Sequence, residues 1–173
     1  MGRFPNENEI EKILDILGKR RSNNPVIVGP PGVGKTALVE GLAHVLQAAG
    51  DERRILGLDV GRLLAGTGLR GSLSDRLGRL RQEIQDSEQG VVLFIDEIHG
   101  LLGSGEGVNQ EIAGELKAAL ARGQLPCIGA TTEDEYRMVF AKDPALSRRF
   151  SPVFIAEPSK EEAIEMLVGA ASA

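Results

Sequence analysis

Aromatic residues are scarce in this sequence of 173 residues: they make up 3% of it, and tryptophan is absent. Domains that hold single-stranded nucleic acid stack its bases on aromatic side chains. Such domains also present a basic surface, whereas the formal net charge here is −5. We therefore expect no nucleic-acid partner for this protein.

Long apolar runs and paired cysteines are also missing. No stretch approaches the length of a membrane span, and the start does not read as a signal peptide, so we expect no membrane association. The one cysteine, Cys127, cannot form an internal disulfide, which is typical of a reducing compartment and predicts a cytoplasmic protein. Because Cys127 lies in an apolar, strand-like run, we interpret it as a small core residue and not as a nucleophile.

A glycine-rich segment, GPPGVGKT, fits the P-loop pattern G-x-x-x-x-G-K-[ST]. An apolar run before it predicts a buried strand, and a helical pattern follows it. Glycines let successive backbone N–H groups turn toward phosphate oxygens, and the helix adds its positive N-terminal end. Lys35 is predicted to reach the β- and γ-phosphates of a nucleotide, and the Thr36 hydroxyl to hold Mg²⁺. The predicted nucleotide-binding residues are Gly29, Pro30, Pro31, Gly32, Val33, Gly34, Lys35, Thr36 and Ala37.

Strand and helix patterns alternate along the chain. We predict strands over 25–28, 54–60, 91–95, 126–130 and 153–155, and helices over 8–20, 35–49, 73–86 and 111–121. A capping box at 132–135 predicts a short helix, 144–149 one further turn, and 61–71 and 100–108 are glycine-rich loops. Alternation of this kind predicts a parallel five-stranded sheet with helices on both faces.

An acidic pair, Asp96-Glu97, follows the apolar run Val91–Ile95. Ligands of open α/β sheets bind at the carboxyl ends of the strands, so the pair is expected beside the phosphates. Asp96 is predicted to contact Mg²⁺, directly or through water. Glu97 is predicted to polarise the attacking water as a general base. The alternative is a solvated acidic strand end without function.

Two further positions each have two interpretations from the residues alone. Thr132, after the fourth strand, either contacts the γ-phosphate or caps the helix that follows. Arg148 and Arg149 are either surface charges or arginine fingers, which stabilise charge in phosphoryl transfer. The two histidines have no companion residues at metal-ligand spacing, and we assign no catalytic role to either of them.

Together these segments resemble the first AAA+ module of the Clp family, the ring-forming unfoldases and disaggregases. The segments that carry the resemblance are GPPGVGKT, LFIDEIH, LARG, CIGATTEDEYR and DPALSRRF, and they occur in this order from about Ile10 to Leu167. The resemblance implies a three-layer αβα P-loop NTPase fold, ATP and Mg²⁺ as cofactors, and ATP hydrolysis that remodels or unfolds a protein partner.

The resemblance also implies roles for single residues. Thr132 matches the sensor of the γ-phosphate. Arg148 and Arg149 match arginine fingers that act on the ATP of the neighbouring subunit, which implies a ring, usually a hexamer. Catalytic roles are thus expected for Glu97, Thr132, Arg148 and Arg149.

Two departures from the family pattern affect the expected function. The loop over 66–71 reads GTGLRG, so that Leu69 stands where the unfoldases carry the aromatic residue that grips a polypeptide. A nucleotide-dependent assembly switch without threading is therefore an alternative function.

We expect residues 1–157 to form the large nucleotide-binding subdomain and 158–173 to begin a helical lid. With most of that lid absent, weak nucleotide affinity, weak activity and poor self-assembly are expected of this segment alone.

Overall fold

Five parallel strands form a sheet in the computed structural model, which describes residues 7–59, 70–102 and 108–156. The strands are β1 (Asn24–Val28), β2 (Arg54–Gly57), β3 (Val91–Ile95), β4 (Cys127–Thr131) and β5 (Phe150–Phe154). Their order in the sheet is β2-β3-β4-β1-β5. The parallel pairing confirms the predicted α/β class.

Helices connect the strands as crossovers, as a parallel sheet requires. In the described part of the chain α1 (Glu7–Leu17) precedes the first strand, and the connecting helices are α2 (Lys35–Ala48), α3 (Arg70–Asp86), α4 (His99–Leu102), α5 (Val108–Ala121), α6 (Glu133–Val139) and α7 (Pro144–Arg149).

The core lies in two layers, one on each face of the sheet. Successive side chains of a strand point to opposite faces, and in β1 Ile27 faces one layer while Val26 and Val28 face the other. Apolar residues of α1 and α2 pack around Ile27. The opposite layer takes its side chains from α3, α4, α5 and α7. This arrangement confirms the three-layer αβα architecture.

β1 occupies an interior position, which explains why every one of its five residues is buried. At its amino end the Asn24 side chain is only 2% exposed, and its Oδ1 accepts a hydrogen bond from the backbone N–H of Cys127 at 3.2 Å. This bond connects the amino ends of β1 and β4. The carboxyl end of β1 leads directly into the glycine-rich segment.

β5 begins three residues earlier than the sequence predicts. It directly follows α7 and pairs with the whole of β1, from Asn24 beside Phe150 to Val28 beside Phe154. Pro152 lies within it and has no N–H for a ladder. The strand tolerates this residue because β5 forms the edge of the sheet.

The second glycine-rich loop is the least accurate part of the prediction. A helical turn, α4, occupies residues 99–102, and α5 begins at Val108 and not at Glu111. The turn forms because Leu101 and Leu102 bury their side chains in the core, which outweighs the loop propensity of the glycines.

Other helix and strand ends differ by a few residues. α1 ends at Leu17, so the basic residues after Gly18 lie beyond it, and β2 ends at Gly57. α3 begins at Arg70. The expected pore loop over 66–71 lies mainly outside the described residues, and so do the expected lid over 158–173 and its boundary after residue 157.

Candidate phosphate-binding site

The P-loop joins the end of β1 to the start of α2. Gly32 and Gly34 have φ values of +74° and +99°, in the left-handed region that glycine adopts without steric cost. Gly29 has a different role. A Cβ atom there would lie 2.6 Å from Cγ1 of Ile155 and 3.0 Å from Cγ1 of Val33, so that only hydrogen fits. The sequence motif thus has a steric basis at three positions.

The start of α2 presents backbone amides to the space above the sheet. No side chain of the described residues caps this helix, whose N-cap is Gly34. The first N–H groups of a helix have no partner within it, and the helix dipole makes that end positive. The 14-residue helix therefore offers an anion site at its N-terminus.

The Lys35 side chain folds back over the P-loop. Its Nζ donates hydrogen bonds to the carbonyl oxygens of Gly29 at 2.7 Å and Pro30 at 3.1 Å. The two bonds hold a half-buried ammonium group beside the amides of the loop. Thr36 and Ala37 are exposed at the same place. The Lys35 ammonium, the Thr36 hydroxyl and the free backbone amides thus lie within the first turn of α2.

Asp96 and Glu97 extend from the carboxyl end of β3, and both side chains are exposed. Asp96 Oδ1 accepts a hydrogen bond from the Glu97 N–H at 2.9 Å. Glu97 has φ +49°, a left-handed conformation that costs a non-glycine residue about 1–3 kcal/mol and is common at functional sites. The acidic pair is therefore held in a fixed and strained turn.

One cleft of about 530 Å³ unites these groups. The ends of β3 and β1 flank that of β4, roughly 10 Å apart, so the cleft opens above β4. Of the predicted nucleotide-binding residues, Gly29, Pro30 and Val33 do not line it. Its lining consists of Pro31, Gly32, Gly34, Lys35, Thr36, Ala37, Glu40, Asp96, Glu97, His99, Thr131 and Thr132.

The residues of this cleft suit Mg²⁺. That ion keeps several waters and takes one or two protein oxygens together with substrate phosphates. Thr36, with its hydroxyl, and Asp96, with its carboxylate, both line the cleft. Within the described ranges no group of three or more His, Cys, Asp or Glu side chains could bind a metal ion without phosphate.

Thr132 caps α6, one of the two roles that the sequence left open, and the γ-phosphate contact stays a prediction. Its Oγ1 accepts a hydrogen bond from the Glu135 N–H at 3.4 Å, which confirms the predicted cap of α6. The residue also lines the cleft. Thr131 is 1% exposed, and its backbone oxygen accepts a bond from the Gly29 N–H at 3.1 Å.

His99, Thr131 and Glu40 are cleft residues that the sequence analysis did not assign. The Nδ1 atom of His99 lies 2.8 Å from Oγ1 of Thr131, a hydrogen bond between residues 32 positions apart. Neither residue belongs to a spacing pattern that indicates such a contact. Only the adjacency of β3 and β4 brings them together. His44, by contrast, is exposed on α2.

Arg148 and Arg149 do not line this cleft. They end α7, immediately before β5 begins, and β5 is parallel to β1. The arginines therefore lie at the amino-terminal edge of the sheet, about 15 Å along the strand direction from the P-loop. There they line a separate cleft of about 730 Å³ with Arg20, Arg21 and Ser22.

The two arginines differ in how they are held. Arg149 is half-buried, its Nε donates a hydrogen bond to the Ala121 carbonyl at 2.8 Å, and its guanidinium lies against Gly123. The Arg148 side chain is exposed, while its backbone oxygen accepts a bond from Ser22 Oγ at 2.5 Å. The end of α7 is thus fixed and presents one guanidinium to solvent.

Asp143 sets the position of α7. Its Oδ1 accepts hydrogen bonds from the N–H groups of Ala145 at 3.0 Å and Leu146 at 3.3 Å, and its Oδ2 pairs with Lys117 of α5. The hydrogen bond from Lys117, followed by those from the helix amides, holds the pKa of Asp143 below its ordinary value. The carboxylate thus joins the helix that carries the arginines to α5.

Cys127 is fully buried in β4, and its burial raises the pKa of the thiol. A thiol of that kind is a poor nucleophile, as predicted. None of the helices in the described ranges is long and apolar enough to cross a bilayer.

Known protein families and proteins are similar to this chain in sequence and fold. A family model described as "ATPase family associated with various cellular activities (AAA)" matches residues 25–157, from β1 past the end of β5. The ATP-dependent Clp protease ATP-binding subunit ClpA homolog of Pyropia yezoensis is 50% identical over 169 residues, 94% of this chain and 20% of that protein. The chloroplastic chaperone protein ClpC1 of Arabidopsis thaliana is 49% identical over 176 residues, 98% of this chain and 18% of that protein.

Solved structures of S. cerevisiae Hsp104 share the fold. Its ADP complex superposes with a TM-score of 0.84 at 39% identity, and its casein complex in the extended conformation with 0.83 at 40%. Each match covers 96% of this chain and 29% of the Hsp104 chain. The chain spans about a fifth of the length of the curated relatives it matches.

Proposed function

The chain belongs to the AAA family of ATPases, and from this premise we propose that it binds ATP with Mg²⁺ and hydrolyses the β,γ-phosphoanhydride bond. The observation that carries the proposal is the common cleft. The open amide end of α2, the Lys35 ammonium and the Asp96-Glu97 pair all face one space of about 530 Å³. Positioning and charge stabilisation of this kind account for most of the catalysis in phosphoryl transfer.

In this proposal the P-loop binds the phosphates. The amides from Gly32 to Ala37 surround the β- and γ-phosphates, and the Lys35 ammonium approaches their oxygens from its position beside the loop. Gly29, Pro30 and Val33 act indirectly, because they shape the loop outside the cleft. Thr36 and Asp96 would hold Mg²⁺, which neutralises phosphate charge and orients the γ-phosphate when it is bound.

Glu97 is the proposed general base. Its carboxylate takes a proton from a water whose oxygen bonds to the γ-phosphorus, while the bond to the bridging oxygen breaks and ADP leaves. Thr132 directly follows β4, the strand between β1 and β3, and is the proposed contact to the γ-phosphate. The hydroxyl keeps a second lone pair and its own proton for that contact while it caps α6.

Arg148 and Arg149 are proposed to complete the site of a neighbouring copy. Their position at the amino ends of the strands supports this role, because from there they cannot reach the P-loop of their own chain. A head-to-tail contact between the two edges, repeated with closure, generates a ring, and we propose a hexamer. The exposed Arg148 suits direct contact with phosphate, and the anchored Arg149 suits orientation of that contact.

For the whole protein we propose that ATP hydrolysis remodels or unfolds a protein partner in the cytoplasm, with neither nucleic acid nor a membrane as partner. The solved Hsp104 complex with casein supports a protein substrate. The single buried cysteine suits a reducing compartment.

A nucleotide-dependent assembly switch is the second candidate, favoured by Leu69 in place of an aromatic residue. A translocation assay separates the two functions. Remodelling is supported if the wild type threads a polypeptide, Leu69→Ala abolishes the threading and Leu69→Tyr retains it. Nucleotide-dependent partner binding without threading supports the switch.

The ATPase proposal is tested by two substitutions in the whole, assembled protein. Lys35→Ala is expected to abolish nucleotide binding, measured by the fluorescence anisotropy of a labelled ATP. Glu97→Gln is expected to bind ATP as the wild type does but to hydrolyse it about 10²–10⁴-fold more slowly, the usual contribution of a general base. Glu11→Gln, an exposed change on α1, serves as the matched control. Normal turnover in Glu97→Gln would show that Glu97 is not the base.

A further inference from the structure

The hydrogen bond between His99 and Thr131 joins two walls of the candidate site. His99 is the first residue of α4 and lies three positions after Asp96. Thr131 is the last residue of β4 and is almost completely buried. In one neutral tautomer His99 Nδ1–H donates to Oγ1 of Thr131, and in the other the hydroxyl donates to Nδ1. One hydrogen bond of 2.8 Å is made in either form.

The segment that carries Glu97 is fastened to β4 at two points. The Ile98 N–H donates to the Ala130 carbonyl at 3.1 Å, and one residue later the His99 side chain meets the Thr131 hydroxyl. A third bond, from the Gly100 N–H to the Glu97 carbonyl at 2.9 Å, closes the turn itself. The side-chain bond connects the turn to Thr131, the residue whose backbone oxygen also supports the P-loop.

Glu97 needs such support because its backbone conformation is unfavourable. A non-glycine residue persists at φ +49° only where its surroundings determine it. On one side the Asp96 carboxylate accepts the Glu97 N–H, and on the other side the fastening to β4 follows within two residues. If the turn relaxes, the direction of the Glu97 carboxylate changes with it.

From this geometry we propose that His99 and Thr131 are positioning residues for the hydrolytic step. Their hydrogen bond keeps the Glu97 turn in its strained form and so aims the carboxylate at the attacking water. The inference rests on the proposed ATPase function. It assigns the pair to the chemical step and not to nucleotide binding, because the P-loop depends on the backbone oxygen of Thr131 and not on its hydroxyl.

Side-chain substitutions separate these two roles. Thr131→Val removes the hydroxyl and keeps the branched shape, and His99→Leu removes the ring nitrogens. Both substitutions leave the bond from Gly29 to the Thr131 carbonyl in place. Each is expected to lower kcat about tenfold, the upper range for one lost hydrogen bond, while KM and the Kd of labelled ATP stay within about twofold.

Conservative variants at the same positions are the matched controls. Thr131→Ser keeps a hydroxyl, and His99→Asn places an amide atom as many bonds from Cα as Nδ1. Each conservative variant is expected to keep kcat within about threefold of the wild-type value. The double variant Thr131→Val/His99→Leu is expected to be no slower than either single variant, because both remove the same bond. All variants are measured in the whole, assembled protein, with thermal unfolding as the check on folding.

Three results would overturn the inference: unchanged kcat in Thr131→Val and His99→Leu, a rise in Kd that matches the fall in kcat, or a double variant whose loss is the product of the single losses. A wild type without Glu97-dependent turnover would instead refute the proposed function, and the inference with it. Normal wild-type turnover without the expected pattern among the variants refutes the positioning role alone.

Discussion

Gly29 and Gly34 occupy the same eight-residue motif for different physical reasons. Gly34 has a left-handed backbone, and a Cβ atom there would meet nothing within 4 Å, so conformation alone selects glycine. Gly29 lies against Ile155, whose N–H is bonded to the Val28 carbonyl at 2.9 Å and which is therefore fixed in place. Space, not conformation, selects glycine at this position.

Gly29→Ala is therefore expected to destabilise the fold. The added methyl group would overpack the space between Ile155 and Val33, at a cost of about 1–3 kcal/mol in the free energy of unfolding. Urea denaturation monitored by circular dichroism measures this change.

Gly78→Ala is the matched control for Gly29→Ala. Its Cβ meets nothing within 4 Å on α3, and it is expected to stabilise the fold by about 1 kcal/mol through helix propensity. Equal effects of the two substitutions would contradict the steric account of Gly29.

Residues within the site differ in how far the sequence reveals them. Lys35, Thr36, Asp96 and Glu97 follow from local motifs, because each motif contains its own strand end. The bond between His99 and Thr131 does not, because it joins positions that only sheet pairing makes adjacent. The turn at Glu97 is likewise invisible in the sequence, since its φ value follows from contacts on both sides.

At the scale of elements, α7 is a short helix that forms because of the residues at its two ends. Six residues are too few for a helix to be stable alone, so the caps and tertiary contacts decide its existence. Asp143 caps it and Pro144 begins it, a combination typical of a helix start, and the helix lies where the sequence predicts a turn. The pair with Lys117 is a tertiary addition and fixes the direction of the helix.

Asp143→Asn is expected to weaken this attachment. Asparagine still caps a helix but cannot form the ion pair with Lys117, so the free energy of unfolding near neutral pH is expected to fall by about 1 kcal/mol. Asp15→Asn, a change on α1, is the control.

The same substitution has a signature in pH dependence. The pKa of Asp143 is lowered in the folded state, so the unfolded chain takes up the proton first as the pH falls. The stabilising contribution is therefore complete above the ordinary Asp pKa of 3.8 and is lost as the pH drops through the lower folded value. Between neutral pH and about pH 3 the wild type is expected to lose more stability than Asp143→Asn, as urea titrations at each pH would measure. Equal losses would contradict a role for the pair.

Elements whose ends carry clear local signals agree with the sequence, and elements whose ends depend on tertiary packing do not. β3 agrees at both ends because its continuous apolar run is bounded by Gly90 and Asp96. α4 and the start of β5 disagree, because burial of Leu101 and Leu102 and pairing along β1 outweigh the local glycine and proline signals. Local propensity is a weak prior wherever tertiary packing competes with it.

At the scale of the whole molecule, the candidate site residues lie at the two opposite ends of the strands. The P-loop and the acidic pair lie at the carboxyl edge, and the arginine pair lies at the amino edge. Under the proposed function they form one catalytic site only when two copies meet. This separation predicts that activity belongs to the assembly.

A mixing experiment tests the shared site. Arg148→Ala/Arg149→Ala subunits keep their P-loop, and Lys35→Ala subunits keep their arginines. Each is expected to be almost inactive alone, and a mixture is expected to recover part of the ATPase activity at interfaces that combine an intact P-loop with intact arginines. The ATPase rate per subunit is also expected to rise with the concentration of the wild type.

Lys12→Ala, which removes an exposed cation from α1, is the control for the arginine variants and is expected to turn over ATP normally. An inactive mixture whose subunits assemble together, or a wild-type rate per subunit independent of concentration, would show that the site is complete within one chain.

The sequence by itself determined the α/β class, the P-loop, the acidic pair and the helix caps. The P-loop, the acidic pair and the helix caps depend on residues within about ten positions of one another, where motif and periodicity express the physics directly. The α/β class follows from the alternation of such local patterns along the chain. Only the tertiary structure decided the strand order, the bond between His99 and Thr131, the enclosure of Gly29 and the opposite placement of the arginines. Those features depend on which distant segments pack together, and that choice follows from burial and pairing over the whole fold.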